Sequence, residues 1–215
     1  MGSEINLSGD EVRDWETLMF LYSSALKKMN TKIEILTDEF KIAHRYNPIE
    51  HVTSRLKTAK SIVRKLKEEG HETDIRSMQQ YLNDIAGVRI VCSFSSDIYR
   101  IADMISNQSD VKVLLIKNYI ASPKANGYKS YHMIVTIPVF LSTGPVDTKV
   151  EIQIRTIAMD FWATLEHKIY YKFEGHAPDY IKDELLECAK LIHALDDRML
   201  SLNEAVRALG GIEDD

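Results

Sequence analysis

Apolar positions between residues 10 and 45 fall three and four apart: Trp15, Leu18, Tyr22, Ala25, Met29, Ile33, Leu36 and Phe40. That spacing lays one apolar stripe along a long helix. Asn47-Pro48-Ile49-Glu50 then reads as a stop and a new start. Asn suits an N-cap, Pro the first helical position, and Glu50 completes a capping-box-like pattern. A second helix is expected from there to about Glu69, ending at Gly70, with Val52, Leu56, Ala59, Val63 and Leu66 as its core stripe. The period then changes. Gly87 to Phe94 (GVRIVCSF) is a run of the buried-strand type, and Ser95-Ser96-Asp97 caps a helix to about Asn107. Val111 to Tyr119 and Tyr131 to Phe140 read as two more strands. Lys149 to Arg155 alternates strictly: Val150, Ile152 and Ile154 point one way, Glu151, Gln153 and Arg155 the other. Thr156 caps a helix to about Tyr171. Pro178 opens a last long helix with Ile181, Leu185, Cys188, Ile192, Leu195, Met199, Leu202 and Val206 at heptad spacing, ended by Gly210-Gly211 before an acidic tail.

This order predicts an α/β fold, a mixed sheet of four to five strands flanked by helices, with long N- and C-terminal helices. The terminal helices carry more apolar periodicity than a small sheet can cover. Packing on their own domain and contact with another copy are both open.

Composition narrows the class. The 215 residues are 45% hydrophobic and 27% charged, ordinary for a soluble globular chain with one core. No apolar run approaches membrane-spanning length. Cys92 and Cys188 lie far apart, each in an apolar pattern, and read as two reduced core thiols of a cytoplasmic protein. The net charge of −5 argues against a generic nucleic-acid binder, DNA included. RNA stays open, as does a small anionic ligand, because local charge matters more than the sum.

Four features carry candidate chemistry. Lys57, Ser61 and Lys65 fall at i, i+4 and i+8 of the expected second helix and would form a line, with Arg55 on the flank of its apolar stripe. The basic residues there are either a solvated face or a row of cations for a polyphosphate. Asp84 before the strand is either a turn cap or a Mg²⁺ ligand. Arg89 is the only charge between Ile85 and Phe94, so it needs a salt bridge or a ligand. The loop Pro123 to His132 (PKANGYKSYH) joins Lys124, Lys129 and His132 to the aromatic faces of Tyr128 and Tyr131 around an Asn126-Gly127 turn. It is either a plain hairpin connection or a nucleotide platform. Glu151 is either a solvent-facing strand residue or one of two carboxylates in metal-assisted phosphoryl chemistry.

Taken together, Arg55-x-Lys57 with Ser61-Ile62, DIAGVRIVC (84–92), NYIASPKANGYKSYH (118–132) and VEIQIRTIAMDFWATLEH (150–167) resemble the synthetase domain of the RelA/SpoT-type alarmone synthetases. Residues 47–172 would be that nucleotidyltransferase-like domain, 1–46 an N-terminal helical segment and 173–215 a C-terminal helix and tail. Pro48-Ile49-Glu50-His51 and Ile137 to Leu141 look more like the RelP type of small synthetase than the RelQ type. The resemblance implies transfer of the β,γ-pyrophosphate of ATP to the 3′-hydroxyl of GDP or GTP, with Mg²⁺. By residue it implies Glu151 as base and metal partner, and Asp84 as principal metal ligand. Arg55 and Arg89 would sit about the adenine, with Lys57, Ser61, Lys65 and Lys117 at ATP phosphates. Tyr128 would lie on guanine, with Lys124, Asn126 and His132 in the acceptor site and Gln153 orienting the acceptor. Asn118 stands where much of the family has Asp, and Lys117 where some members have Arg. His51 and Asp160 replace the aromatic and the amide that RelQ-type members present near a central allosteric cleft, so product activation does not carry over. No paired His-Asp hydrolase motif precedes the region, which implies synthesis without hydrolysis. A homotetramer is the family's expectation. A binder without turnover, or a nucleotidyltransferase releasing pyrophosphate, would differ by product.

Overall fold

The computed structural model describes residues 9–44, 46–171 and 177–209. The terminal Gly210-Gly211 stop, the acidic tail and the start of the C-terminal segment at 173–176 lie outside the described residues. Helix α1 spans Gly9–His44, as its stripe predicts. The sheet strands are β1 (Ile49–Leu56), β2 (Ala86–Cys92), β3 (Lys112–Asn118), β4 (Tyr131–Leu141) and β5 (Gly144–Thr156). Helices α2 (Ala59–Glu68), α3 (Ile75–Tyr81), α4 (Ser95–Ser106), α5 (Ile157–Tyr171) and α6 (Asp179–Ala208) complete the chain. The sheet is mixed, in the order β1-β2-β5-β4-β3, with β2 and β5 parallel and the other neighbours antiparallel.

The expected second helix is corrected. Its first half is strand β1, on the sheet edge beside β2. Asn47 does fold back on Ile49, accepting from its N–H at 3.1 Å and donating to its carbonyl at 2.7 Å. That local ring starts an extended segment, which β-branched Ile49, Val52 and Thr53 favour. Val52 is exposed rather than core. The helix N-cap is Thr58, whose hydroxyl accepts from the Ser61 N–H at 3.3 Å. Arg55 therefore sits on a strand, and only Ser61 and Lys65 share a helix. Helix α3, capped by Asp74 through the Ser77 N–H at 2.7 Å, was not anticipated. Cys92 is buried, but Cys188 is exposed on α6, against expectation. At α5, Thr156 accepts from the Met159 N–H at 3.1 Å, as the sequence indicates.

One sheet face is apolar. Val88 and Ile90 of β2, Ile152 and Ile154 of β5, and Met133 and Val135 of β4 are all but fully buried with the stripe of α1 and with Ile98, Ile101 and Ile105 of α4. The opposite face carries the polar members of the same strands. No described helix is long and apolar enough to cross a membrane.

Candidate active site

Strand register builds the polar face in two rows. One runs Thr53–Arg89–Gln153–His132–Lys117 across all five strands. The next runs Arg55–Gly87–Glu151–Ile134. Residues facing each other across a ladder share a face, so the rows bring together side chains as far apart in sequence as Thr53 and Gln153. Gly87 leaves a gap between Arg55 and Glu151. A Cβ built there would meet nothing closer than the Arg55 carbonyl at 3.9 Å. The resulting cleft, about 310 Å³, is lined by Arg55, Asp84, Gly87, Arg89, Glu151 and Gln153 among others. Five of the residues singled out in the sequence thus share one cavity.

Glu151 is held from both sides. His132 Nδ1 lies 3.2 Å from Oε1, and Gln153 Nε2 donates to Oε2 at 3.0 Å. Burial pushes the carboxyl up, but the bonds from His132 and Gln153 pull it further down, leaving it below the ordinary carboxylate range. Glu151 is therefore ionised at neutral pH. At Asp84, burial again raises the carboxyl, and Lys57 Nζ at 2.6 Å and Lys65 Nζ at 3.0 Å more than reverse it. Two cations expected at phosphates thus flank a carboxylate expected at a metal. Two ionised carboxylates are hard oxygen donors that suit Mg²⁺ when substrate phosphates complete the shell. No cluster of three or more His, Cys, Asp or Glu placed for a metal occurs among the described residues. An ion here would rely on substrate oxygens.

Arg155 was read only as a member of the polar strand face, yet it is the hub of the site. Its NH2 donates to Tyr128 Oη at 2.6 Å and to Gln153 Oε1 at 3.0 Å, its NH1 to Asp160 at 3.1 Å and its Nε to Ser130 Oγ at 3.3 Å. Tyr128 Oη in turn meets His132 Nε2 at 2.8 Å. Two branches therefore leave one guanidinium and converge on the two oxygens of Glu151. The clue in sequence was a third polar residue on the alternating face of that strand, with Asp160 five residues on. Asp160 also pairs with Arg89 at 3.3 Å, while Arg89 Nε is buried without a hydrogen-bond partner. Burial, with the like charge of Arg155, lowers the Arg89 pKa.

The remaining expected residues are more dispersed. Lys124 Nζ sits 5.0 Å from the Tyr119 and Tyr128 ring centres. Asn126 accepts from the Tyr128 N–H and donates to Glu166, so it shapes the turn. Lys117 is exposed on edge strand β3 beside His132 in register. The Ser61 hydroxyl accepts from Thr58 within the helix cap. Asn118 accepts from the N–H groups of Ile120 and Ala121 and caps a turn.

The family described as "Region found in RelA / SpoT proteins" matches residues 54–176. GTP pyrophosphokinase YwaC of Bacillus subtilis is 46% identical over 195 residues, which cover 91% of this chain and 93% of that one. The crystal structure of small alarmone synthetase 2 from Bacillus subtilis superposes with a TM-score of 0.82 at 44% identity, covering 89% of this chain and 99% of the other. Small alarmone synthetase 1 from the same organism, bound to its product pppGpp, gives a TM-score of 0.85 at 33% identity, covering 91% and 99%.

Proposed function

Because the chain belongs to the RelA/SpoT family, we infer that it is a GTP pyrophosphokinase. It transfers the β,γ-pyrophosphate of ATP to the 3′-hydroxyl of GDP or GTP and releases AMP. The observation that carries this reading at residue level is the meeting of ionised Asp84 and Glu151 with Arg55 and Arg89 in one cleft.

In this reading Glu151 takes the proton of the acceptor 3′-hydroxyl as that oxygen attacks the β-phosphate. Its lowered pKa keeps it charged and ready to accept, and Gln153 and His132 fix its direction. Arg55 and Arg89 take the adenine over Gly87, where planar guanidiniums can lie against a base. Lys57 and Lys65 move from Asp84 to ATP phosphates, with Lys117 further along the row; Ser61 adds a hydroxyl. Tyr128 offers its ring to guanine, while Lys124, Asn126 and His132 hold the acceptor's phosphates and turn. Asp84 and Glu151 would hold Mg²⁺, which supplies charge neutralisation on the phosphates when bound. The reading also takes the protein to be cytoplasmic and a homotetramer joined through its terminal helices. The exposed Leu191, Leu195, Met199, Leu202 and Val206 of α6 support the latter.

The test is a product assay. With ATP, GDP and Mg²⁺ the protein should give AMP and a guanosine tetraphosphate in equal amounts. Release of free pyrophosphate, or guanine nucleotide bound but unchanged, would refute the reaction. Glu151→Gln should lower turnover by about a thousandfold, the range of a lost general base.

A further inference from the structure

The C-terminal helix reaches back to the loop proposed to hold the acceptor nucleotide. His193 of α6, nine-tenths buried, lies with Nε2 2.9 Å from the carbonyl oxygen of Gly127. A carbonyl can only accept, so the proton is on Nε2. Nδ1 is then the bare nitrogen of the ring, buried without a hydrogen-bond partner. Burial lowers the pKa of this histidine, with the Gly127 bond opposing, which keeps the ring neutral. A neutral donor at Nε2 is what a lone carbonyl requires.

Gly127 is also shaped by α6. Its φ is +86°, and a Cβ there would stand 2.5 Å from the Ala189 Cβ and 3.2 Å from Leu186 Cδ1. The next residue, Tyr128, packs with Leu185 and Ile192 on a small cluster of Trp162, Ala163 and Ala189. The helix itself is tied to the sheet end. Thr156 Oγ1 donates to Asp196 at 2.7 Å, and Trp162 Nε1 donates to the Leu185 carbonyl at 2.9 Å. Sheet, α6 and the Asn126-Gly127 turn thus form one mechanical unit, and His193 is its polar link to the turn.

We propose that His193 is a positioning residue of the acceptor site: its Nε2–H holds the Gly127 carbonyl so that Tyr128 is presented to the guanine nucleotide. This rests on the reaction assigned above only for the identity of the ligand. Its role is confined to the acceptor half, because its bond runs to Gly127, in the turn that carries Tyr128.

Glutamine and asparagine test the link. The amide nitrogen of Gln can occupy the place of Nε2, while that of Asn matches Nδ1, and the two differ little in bulk or polarity. His193→Asn should weaken GDP binding, measured by calorimetry without turnover, about tenfold, the loss of one hydrogen bond. His193→Gln should stay within about twofold of the parent. Affinity for ATP should be the same in all three proteins. Equal GDP affinity in the two variants, or parallel loss of GDP and ATP binding, would overturn the proposal. GDP binding is read here without chemistry, so a failure to release AMP counts against the reaction alone.

Discussion

Arg155 is almost fully buried, yet its charge is answered by Asp160 and its remaining donors by Tyr128, Gln153 and Ser130. Lysine would keep the charge and lose the fork, since an ammonium cannot hold Tyr128 and Gln153 in fixed directions at once. Arg155→Lys should therefore fold and bind ATP with unchanged affinity while turnover falls about a hundredfold, a misplacement effect read by kcat against KM. Arg155→Met removes the charge and leaves Asp160 with Arg89 alone, and should cost about 3 kcal/mol in urea unfolding. Gly87 makes the opposite case. A Cβ there has room, so Gly87→Val should keep its stability within about 1 kcal/mol while raising the KM for ATP more than tenfold, roughly the penalty of a group lodged in the binding gap.

Periodicity alone made most of the helices and strands legible, because α1, α6, β4 and β5 are long and each presents one apolar face. β1 was misread as helix. Eight residues with a single buried position give no period to read, and the Asn47 ring imitates a helix start. What fixes β1 is its pairing with β2, a long-range fact. The site divided in the same way. Asp84 was visible as an acid just before a buried-looking strand, Arg89 as the lone charge on it, and Glu151 and Gln153 as polar members of an alternating strand. The roles of Gly87 and His193 were not, since one acts through an absent side chain and the other through a contact 66 residues away. Where a cap was read correctly it can be tested locally: Thr156→Val frees the Met159 N–H and the Asp196 partner, and should destabilise by about 1–2 kcal/mol in thermal unfolding. Between elements, Asp110 joins Lys28 and Lys32 of α1 at 2.9 and 2.8 Å, and these bonds lower its pKa from 3.8 to about 2. A carboxylate depressed in the folded state stabilises above its unfolded pKa and loses that contribution as pH falls through the folded one. Acid unfolding should therefore steepen between pH 3.8 and about 2, and Asp110→Asn should remove that steepening.

The polar stripe of α6 faces inward at His193 and Asp196, while Leu191, Leu195, Met199 and Leu202 face out. If the proposed tetramer uses that face, Leu195→Glu with Leu202→Glu should yield a monomer by light scattering, burying a charge where the partner's apolar surface would lie. The two rows across the sheet set a different kind of limit on how such a protein can change. Side chains of the site and of the core alternate along the same strands, so one inserted or deleted residue in β2 or β5 would exchange Arg89 or Glu151 with Ile90 or Ile152. The cleft could not drift by a single step without turning the core inside out. Variation in length is thus excluded from the half of the site built on strands. It remains open to the segment between β3 and β4, where the residues proposed for the acceptor, Lys124 to Tyr128, stand. On the proposed roles, descendants of this chain would keep the donor nucleotide and the attacking geometry fixed, and differ in which acceptor they admit.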